Sequence, residues 1–108
     1  MKTLKFKKKL SEEILKGNKN KTWRLFDDKD LTQGEIISFL IWDTNKEFAK
    51  AKLIKIEEKK FENLGNENLK GHEKFSSNKE MYDTYSNYYN KKITPKTEVK
   101  IIKFKLIK

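Results

Sequence analysis

Three cationic residues, a threonine and a glycine lie within eight residues near the start of the chain, in the segment 17–24. A glycine lets the backbone leave a helix with positive φ, and lysine and arginine bring positive charge to the turn that follows. If this segment passes from a turn into a strand, then Lys19, Thr22 and Arg24 converge on one pocket. The segment therefore predicts an anion-binding turn. A helix C-cap followed by solvated lysines explains the same residues, and the pattern alone leaves both interpretations open.

Arg24 is the only arginine in a chain of 108 residues with a net charge of +10. Lysine supplies the rest of the positive charge, a bias that an AT-rich genome also produces. A guanidinium offers a planar fork of donors that suits phosphate, carboxylate or a base edge. The excess of positive charge favours a polyanionic partner, such as RNA, DNA or an acidic membrane surface.

The composition excludes several kinds of site. The chain contains no cysteine and a single histidine, His72, so disulfides, thiolate metal sites and histidine zinc sites are not expected. It has no apolar run long enough to span a membrane and no signal-peptide pattern at its start. We therefore expect a cytoplasmic protein, a single domain over residues 1–108, that uses neither a metal nor a cofactor.

Three short elements are predicted around the motif. Alternation over residues 3–7 predicts a strand. Ser11 has the features of an N-cap because two glutamates follow it, so a short helix is expected between Ser11 and Gly17. Residues 22–26 favour a second strand that carries the motif threonine and arginine on one face. Three apolar residues would face the core from the helix: Leu10, Ile14 and Leu15.

The middle of the chain predicts a pair of longer strands. Residues 36–42 are almost continuously apolar, which suits a strand buried on both faces. Residues 43–46 have the composition of a hairpin connection, and residues 48–56 form its partner strand. A less regular segment follows over residues 61–75.

A tyrosine-rich helix is predicted over residues 79–89, with Ser76 or Ser77 as its N-cap. Its aromatic residues recur at helical spacing: Tyr82, Tyr85, Tyr88 and Tyr89. They could form a platform on which bases stack, but a face that packs the helix on the sheet explains the same spacing and is the stronger interpretation.

The C-terminal residues 99–106 form a final strand, in which the adjacent Ile101 and Ile102 indicate a bulge. The order of elements is strand, helix, strand, two long strands, irregular segment with helix, and strand. This order predicts an α+β fold, in which a mostly antiparallel sheet curls into a small barrel with two flanking helices.

The spacing GxKxxTxR over residues 17–24, placed after a short helix and before a buried strand preceded by Gly34, resembles the signature of the ASCH domain family. The resemblance covers nearly the whole chain. It includes residues 71–73 before the tyrosine-rich helix and the closing strand around Phe104. ASCH domains are similar to the PUA domain, a small RNA-binding β-barrel. The resemblance therefore implies a PUA-like pseudobarrel with a cleft beside the motif turn and a role in RNA metabolism.

Some bacterial ASCH proteins are amidohydrolases that deacetylate the modified nucleoside N4-acetylcytidine, and others have been linked to RNA cleavage or to RNA-bound coactivator complexes. The amidohydrolases use the motif lysine, the motif threonine and a glutamate of the irregular segment. The resemblance thus implies catalytic roles for Lys19 and Thr22. Glu73 is the first choice for the glutamate, and Glu67 and Glu62 are alternatives.

Arg24 matches the motif arginine, so the resemblance implies that it holds an anion or substrate, and Lys21 and His72 are further candidates for binding substrate or RNA. Each site residue has a simpler role as well, since Lys19 can bind phosphate, Thr22 can orient a water, and a lone histidine in a loop often bonds to the backbone. Deacylation would need Lys19 to lose its proton, which burial beside another cation favours. The sequence supports an RNA- or nucleotide-binding module, with a small amidohydrolase, or less favourably a ribonuclease, as the alternative.

Overall fold

A computed structural model describes residues 2–25, 30–65, 75 and 77–107. The described residues form five strands, two α-helices and one 3-10 turn. Their bounds in chain order are β1 (Thr3–Phe6), α1 (Lys8–Lys16), β2 (Lys21–Arg24), β3 (Ile36–Ile41), β4 (Glu47–Lys60), the 3-10 turn (Phe61–Asn63), α2 (Asn78–Tyr89) and β5 (Glu98–Ile107).

The five strands form one sheet in the order β1-β3-β4-β5-β2. β1 pairs in parallel with β3, and the other neighbours are antiparallel. The sheet curls into a half-barrel, so the predicted α+β class with a mostly antiparallel, PUA-like sheet and two helices is confirmed. The motif strand β2 and the N-terminal strand β1 are the two edges of this sheet.

β5 contributes side chains to two apolar clusters, one on each face of the sheet, because successive side chains of a strand point to opposite faces. Val99 and Ile101 belong to one cluster, which contains residues of α2. Ile102 and Phe104 belong to the other cluster, which contains Ile14 of α1. The adjacent isoleucines thus mark a strand buried on both faces. The bulge predicted at Ile101–Ile102 is wrong, since the register shift in this pair of strands lies on β4 between Leu53 and Lys55.

Helix α1 begins four residues earlier than predicted. Lys7 is the N-cap residue, and Ser11 lies inside the helix, buried, where its Oγ donates a hydrogen bond to the carbonyl of Lys8 at 2.6 Å. Leu15 is 55% exposed rather than in the core, because it follows the buried Ile14 by one position, about 100° around the helix. The end at Gly17 is confirmed, with a left-handed φ of +86°.

Helix α2 agrees with its prediction. Ser77 is the N-cap, and its Oγ accepts a hydrogen bond from the backbone N–H of Glu80 at 3.1 Å. Tyr85 is buried, and its ring stacks on that of Trp23 from β2 with 5.9 Å between centroids. The packing interpretation therefore holds for this face of the helix, whereas Tyr88 is 47% exposed.

The two long strands differ from their predictions at their ends. β3 stops at Ile41, and Trp42 lies in the following turn with 59% of its surface exposed. Burial on both faces holds for Ile37, Ser38 and Phe39 but not for Ile36, which is 46% exposed. β4 continues to Lys60, well beyond the predicted end at residue 56, because β5 pairs with it along that whole length.

Candidate functional site

A cavity of about 360 Å³ lies between the end of β1, the motif strand β2 and the last turns of α2. The described residues that line it include cations and aromatic rings, and none of them is acidic. The lining includes Lys5, Lys7, Thr22, Arg24, Trp42, Asn87, Tyr88 and Tyr89. Cations beside aromatic rings are chemically suited to a ligand that is both anionic and flat.

Thr22 reaches the cavity from the edge strand β2. It is 4% exposed and lies opposite Ile102 of β5. Just before it, the carbonyl of Asn20 accepts a hydrogen bond from the backbone N–H of Phe104 at 3.0 Å, which holds the end of the motif turn on β5. The predicted passage from turn to strand is thus present, and Thr22 is one of the residues that line the cavity.

Lys19 is buried, with 4% of its surface exposed, but it is not among the residues that line the cavity. Its Nζ donates a hydrogen bond to the backbone carbonyl of Lys21 at 2.7 Å, so its ammonium lies against its own turn. Lys21 is half-buried on β2 opposite Lys103, and it too is absent from the cavity lining. The structure therefore brings Thr22 and Arg24 to one cavity and leaves the two motif lysines beside it.

Arg24 connects the two edges of the sheet. Its Nη2 donates a hydrogen bond to the backbone carbonyl of Lys5 on β1 at 2.6 Å, and its Cζ lies 4.8 Å from the centroid of the Phe6 ring. The guanidinium thus has a structural contact in addition to its place in the cavity wall. The sequence pointed to this residue as a ligand clamp and contained no sign of this second role.

Two exposed aromatic residues at the cavity were not predicted as site residues. The Nζ of Lys7 lies 4.4 Å from the centroid of the Tyr88 ring, and the Nζ of Lys5 lies 5.7 Å from that of Trp42. Each ring is thereby paired with a cation at the rim. The usable signal in the sequence is the alternation of lysines around Phe6 at the end of β1, which predicts two lysines on one face.

The carboxylates proposed for catalysis are not part of the described cavity. Glu62 lies in the 3-10 turn, where its Oε1 is 3.7 Å from Nζ of Lys96. Glu67, His72 and Glu73 lie outside the described residues, so their expected roles stay predictions.

Two further findings concern metal binding and membrane-spanning helices in the described part of the chain. Its residues contain no group of three or more histidine, cysteine, aspartate or glutamate side chains that could hold a metal ion. None of its helices has the length and apolar character needed to cross a membrane.

No protein-family model and no curated protein matches this sequence. Several solved structures share its fold. The crystal structure of hypothetical protein PH0355 is 26% identical, with a TM-score of 0.75, and the alignment covers 99% of this chain and 100% of that one. Protein EF3133 from Enterococcus faecalis V583 is 14% identical with a TM-score of 0.75, over 92% of this chain and 70% of that one.

Structures of ASCH domains are also similar to this chain. The ASCH domain from Lactobacillus crispatus JV V101 has a TM-score of 0.69 at 13% identity, over 89% of this chain and 69% of that one. The ASCH protein from Zymomonas mobilis has a TM-score of 0.67 at 11% identity, over 95% of this chain and 65% of that one. At identities of 11% and 13%, these comparisons show that the chain shares the fold of these proteins.

Proposed function

Since this chain has the fold of the ASCH domain, we propose that it is an RNA- or nucleotide-binding protein that acts in RNA metabolism in the cytoplasm. The observation that carries the proposal is the cavity, whose described lining combines three cations with exposed aromatic rings and contains no acidic residue. Lys5, Lys7 and Arg24 suit a phosphate, and the rings of Trp42 and Tyr88 suit a base.

The size of the cavity supports a small ligand. Its volume of about 360 Å³ lies at the lower end of the ~300–1,000 Å³ that is usual for small-molecule sites. A single nucleotide unit matches this space better than a duplex does. Stacking of one base on an aromatic ring contributes about 1–3 kcal/mol, so Tyr88 alone can account for a useful part of the affinity.

The lysines at the rim make the proposal testable. A double variant, Lys5→Gln with Lys7→Gln, removes two cations from the cavity and leaves the backbone carbonyl of Lys5 in place. The matched control is Lys91→Gln with Lys92→Gln, which removes the same charge from exposed residues outside the cavity lining. Titration calorimetry with cytidine 5′-monophosphate should show a clear loss of affinity for the first variant only. Equal losses in both variants would mean diffuse electrostatic attraction and no nucleotide site.

Deacylation of a modified nucleoside is the second candidate function. It is favoured by Thr22, which is buried and lines the cavity, and it requires the ammonium of Lys19 to leave its hydrogen bond to the carbonyl of Lys21. In this scheme the hydroxyl of Thr22 attacks the amide carbonyl while a neighbouring base takes its proton. The amide C–N bond then breaks, the proton passes to the leaving amine, and the acyl group stays on Thr22 as an ester. Water hydrolyses this ester, which releases the carboxylic acid and restores the hydroxyl. Hydrolysis of N4-acetylcytidine in this way yields cytidine and acetate. A carboxylate would have to come from Glu67 or Glu73.

The deacylation hypothesis is tested by incubation with a panel of modified nucleosides, N4-acetylcytidine first, followed by chromatography of the products. Lys19→Ala and Thr22→Ala should each abolish turnover while the circular dichroism spectrum stays native. Retained turnover in either variant would remove that residue from the mechanism. Turnover of an uncharged nucleoside should depend little on salt, whereas binding through phosphate contacts weakens steeply as salt rises.

A further inference from the structure

Lysines lie directly opposite one another across β4, β5 and β2. Lys103 of β5 is the register partner of both Lys55 on β4 and Lys21 on β2, and Lys105 of β5 is the partner of Lys52 on β4. Since alternate residues of a strand share a face, Lys103 and Lys105 lie on the same side of the sheet. The five lysines therefore form one group, here called the lysine face.

The lysine face continues the sheet face that α2 covers. Val99 and Ile101 precede Lys103 at alternate positions of β5, and both are buried in the cluster that contains residues of α2. At Lys103 the pattern changes from apolar to cationic, and Lys103 and Lys105 are exposed. No element of the described chain covers this end of the face.

The arrangement is unfavourable for the isolated protein, because like charges placed opposite one another destabilise a sheet. Glu57 of β4 brings one carboxylate to the group, with its Oε1 2.7 Å from Nζ of Lys55. The hydrogen bond from Lys55 holds the pKa of Glu57 below its usual range, and the positive charges of Lys59 and Lys21 act in the same direction. Glu57 offsets part of this charge, and a polyanion is the ligand that would relieve the remaining repulsion between the five lysines.

We propose that the lysine face is a track for the phosphate backbone of single-stranded RNA and that it leads into the cavity. Neighbouring strands are about 4.8 Å apart and alternate residues about 6.7 Å apart, so long lysine side chains can meet successive phosphates. The row Lys55–Lys103–Lys21 ends on the edge strand β2, where Trp23, the next residue on the same face as Lys21, lines the cavity. The cavity would hold the first nucleotide and the lysine face would hold the phosphates that follow it. Only the position of the first nucleotide rests on the function proposed for the cavity.

RNA fits this surface better than an acidic membrane does. Proteins that lie on membranes bury a broad face of aromatic and large apolar side chains beside their cations, whereas β5 adds only Ile107, 42% exposed, to this face after Lys105. Contacts between lysine and phosphate carry no sequence information, so the track is expected to bind strands of any sequence.

The experiment compares three proteins with two ligands. The track variant carries Lys55→Gln, Lys103→Gln and Lys105→Gln, and the control carries Lys9→Gln, Lys46→Gln and Lys92→Gln, three exposed lysines outside the lysine face. The ligands are cytidine 5′-monophosphate and a single-stranded oligocytidylate of about ten nucleotides, a length within the site sizes of single-strand-binding folds. Fluorescence anisotropy is measured over a range of salt concentrations.

The track variant should bind the oligomer at least about tenfold more weakly than the control does, and both should bind the mononucleotide like the wild type. Loss of three phosphate contacts should flatten the slope of log K against log salt by about two, at ~0.7 per contact for single strands. Relief of charge repulsion should also raise the unfolding temperature of the track variant at low salt, so weaker binding cannot be ascribed to misfolding.

The contrary outcomes separate the two proposals. Equal losses of oligomer affinity in the track and control variants, or an oligomer that binds the wild type no tighter than the mononucleotide, would overturn the track and leave the cavity proposal intact. Track-dependent binding to phosphatidylserine vesicles without binding to RNA would also overturn it. Track-dependent oligomer binding without any mononucleotide binding would support the track and contradict the cavity site.

Discussion

The guanidinium of Arg24 on β2 donates a hydrogen bond to the backbone carbonyl of Lys5 on β1, with 2.6 Å between Nη2 and the oxygen. These strands are the opposite edges of the five-stranded sheet, so the bond joins its two ends. The same guanidinium lies over the ring of Phe6 and forms part of the cavity wall. One side chain thus links closure of the half-barrel to the shape of the candidate site.

Replacement of Arg24 by lysine should lower stability although it keeps the charge. A lysine cannot reproduce the planar fork that reaches Lys5 and covers Phe6, and a hydrogen bond to a charged group contributes about 1.5–3 kcal/mol. Arg24 is only partly buried, so solvent weakens this bond. We therefore expect the free energy of unfolding, measured in urea, to fall by about 1–2 kcal/mol.

Lys5→Gln is the control for Arg24→Lys, because it changes the side chain of Lys5 and keeps the carbonyl that accepts the bond. It should unfold close to the wild-type urea midpoint. If Arg24→Lys does the same, the bond between the two edge strands does not stabilise the fold.

Two tyrosines one turn apart on α2 should separate stability from binding. Tyr85 is 3% exposed and stacks on Trp23, so Tyr85→Ala should cost about 3–5 kcal/mol, as for other buried aromatic residues. Tyr88 is 47% exposed, so Tyr88→Ala should change the unfolding midpoint little and weaken binding of cytidine 5′-monophosphate. Tyr88→Phe keeps the ring and should bind like the wild type. Unchanged affinity in Tyr88→Ala would exclude this ring as the stacking surface.

Local signals in the sequence sufficed for the elements around the site. Gly17 ends α1 with positive φ, and Ser77 caps α2 through its own side chain, so both boundaries depend on residues close in sequence. Such features are predictable because the atoms that determine them lie within a few residues.

Contacts between distant segments could not be predicted in the same way. The role of Arg24 depends on β1 and β2 being opposite edges of one sheet, which no local pattern encodes. Trp42 extends an apolar run but lies in a turn, beside Lys5 and exposed. The ammonium of Lys19 bonds to the carbonyl of Lys21 rather than lining the cavity, because the turn itself offers an acceptor within reach.

Gly17 should be sensitive to substitution through its backbone alone. Its φ of +86° is unfavourable for residues with a Cβ, yet among the described residues no atom lies within 4 Å of where that Cβ would stand. Gly17→Ala should therefore cost about 1 kcal/mol of unfolding free energy, from backbone strain without a clash. Gly17→Asn should cost less, because asparagine tolerates the left-handed region. Urea denaturation measures both, and equal losses for alanine and asparagine would contradict this explanation.

Glu57 should make a small, pH-dependent contribution to stability. The hydrogen bond from Lys55 is the main cause of its lowered pKa, with the nearby charges of Lys59 and Lys21 adding to it. A carboxyl whose pKa is lower in the folded state stabilises the fold above its unfolded pKa, near the ordinary value of 4.5, and loses that effect as pH falls through the folded pKa.

Glu57→Gln should therefore unfold at a lower temperature than the wild type at neutral pH, and the gap should close below pH 4.5. The pair is partly exposed, so the difference should not exceed about 1 kcal/mol. The control is Glu12→Gln, an exposed residue on α1 outside the lysine face. Thermal unfolding of both proteins across this pH range tests the prediction. If the difference in unfolding temperature between Glu57→Gln and the wild type stays constant with pH, the ionised carboxylate of Glu57 does not offset the repulsion of the lysine face.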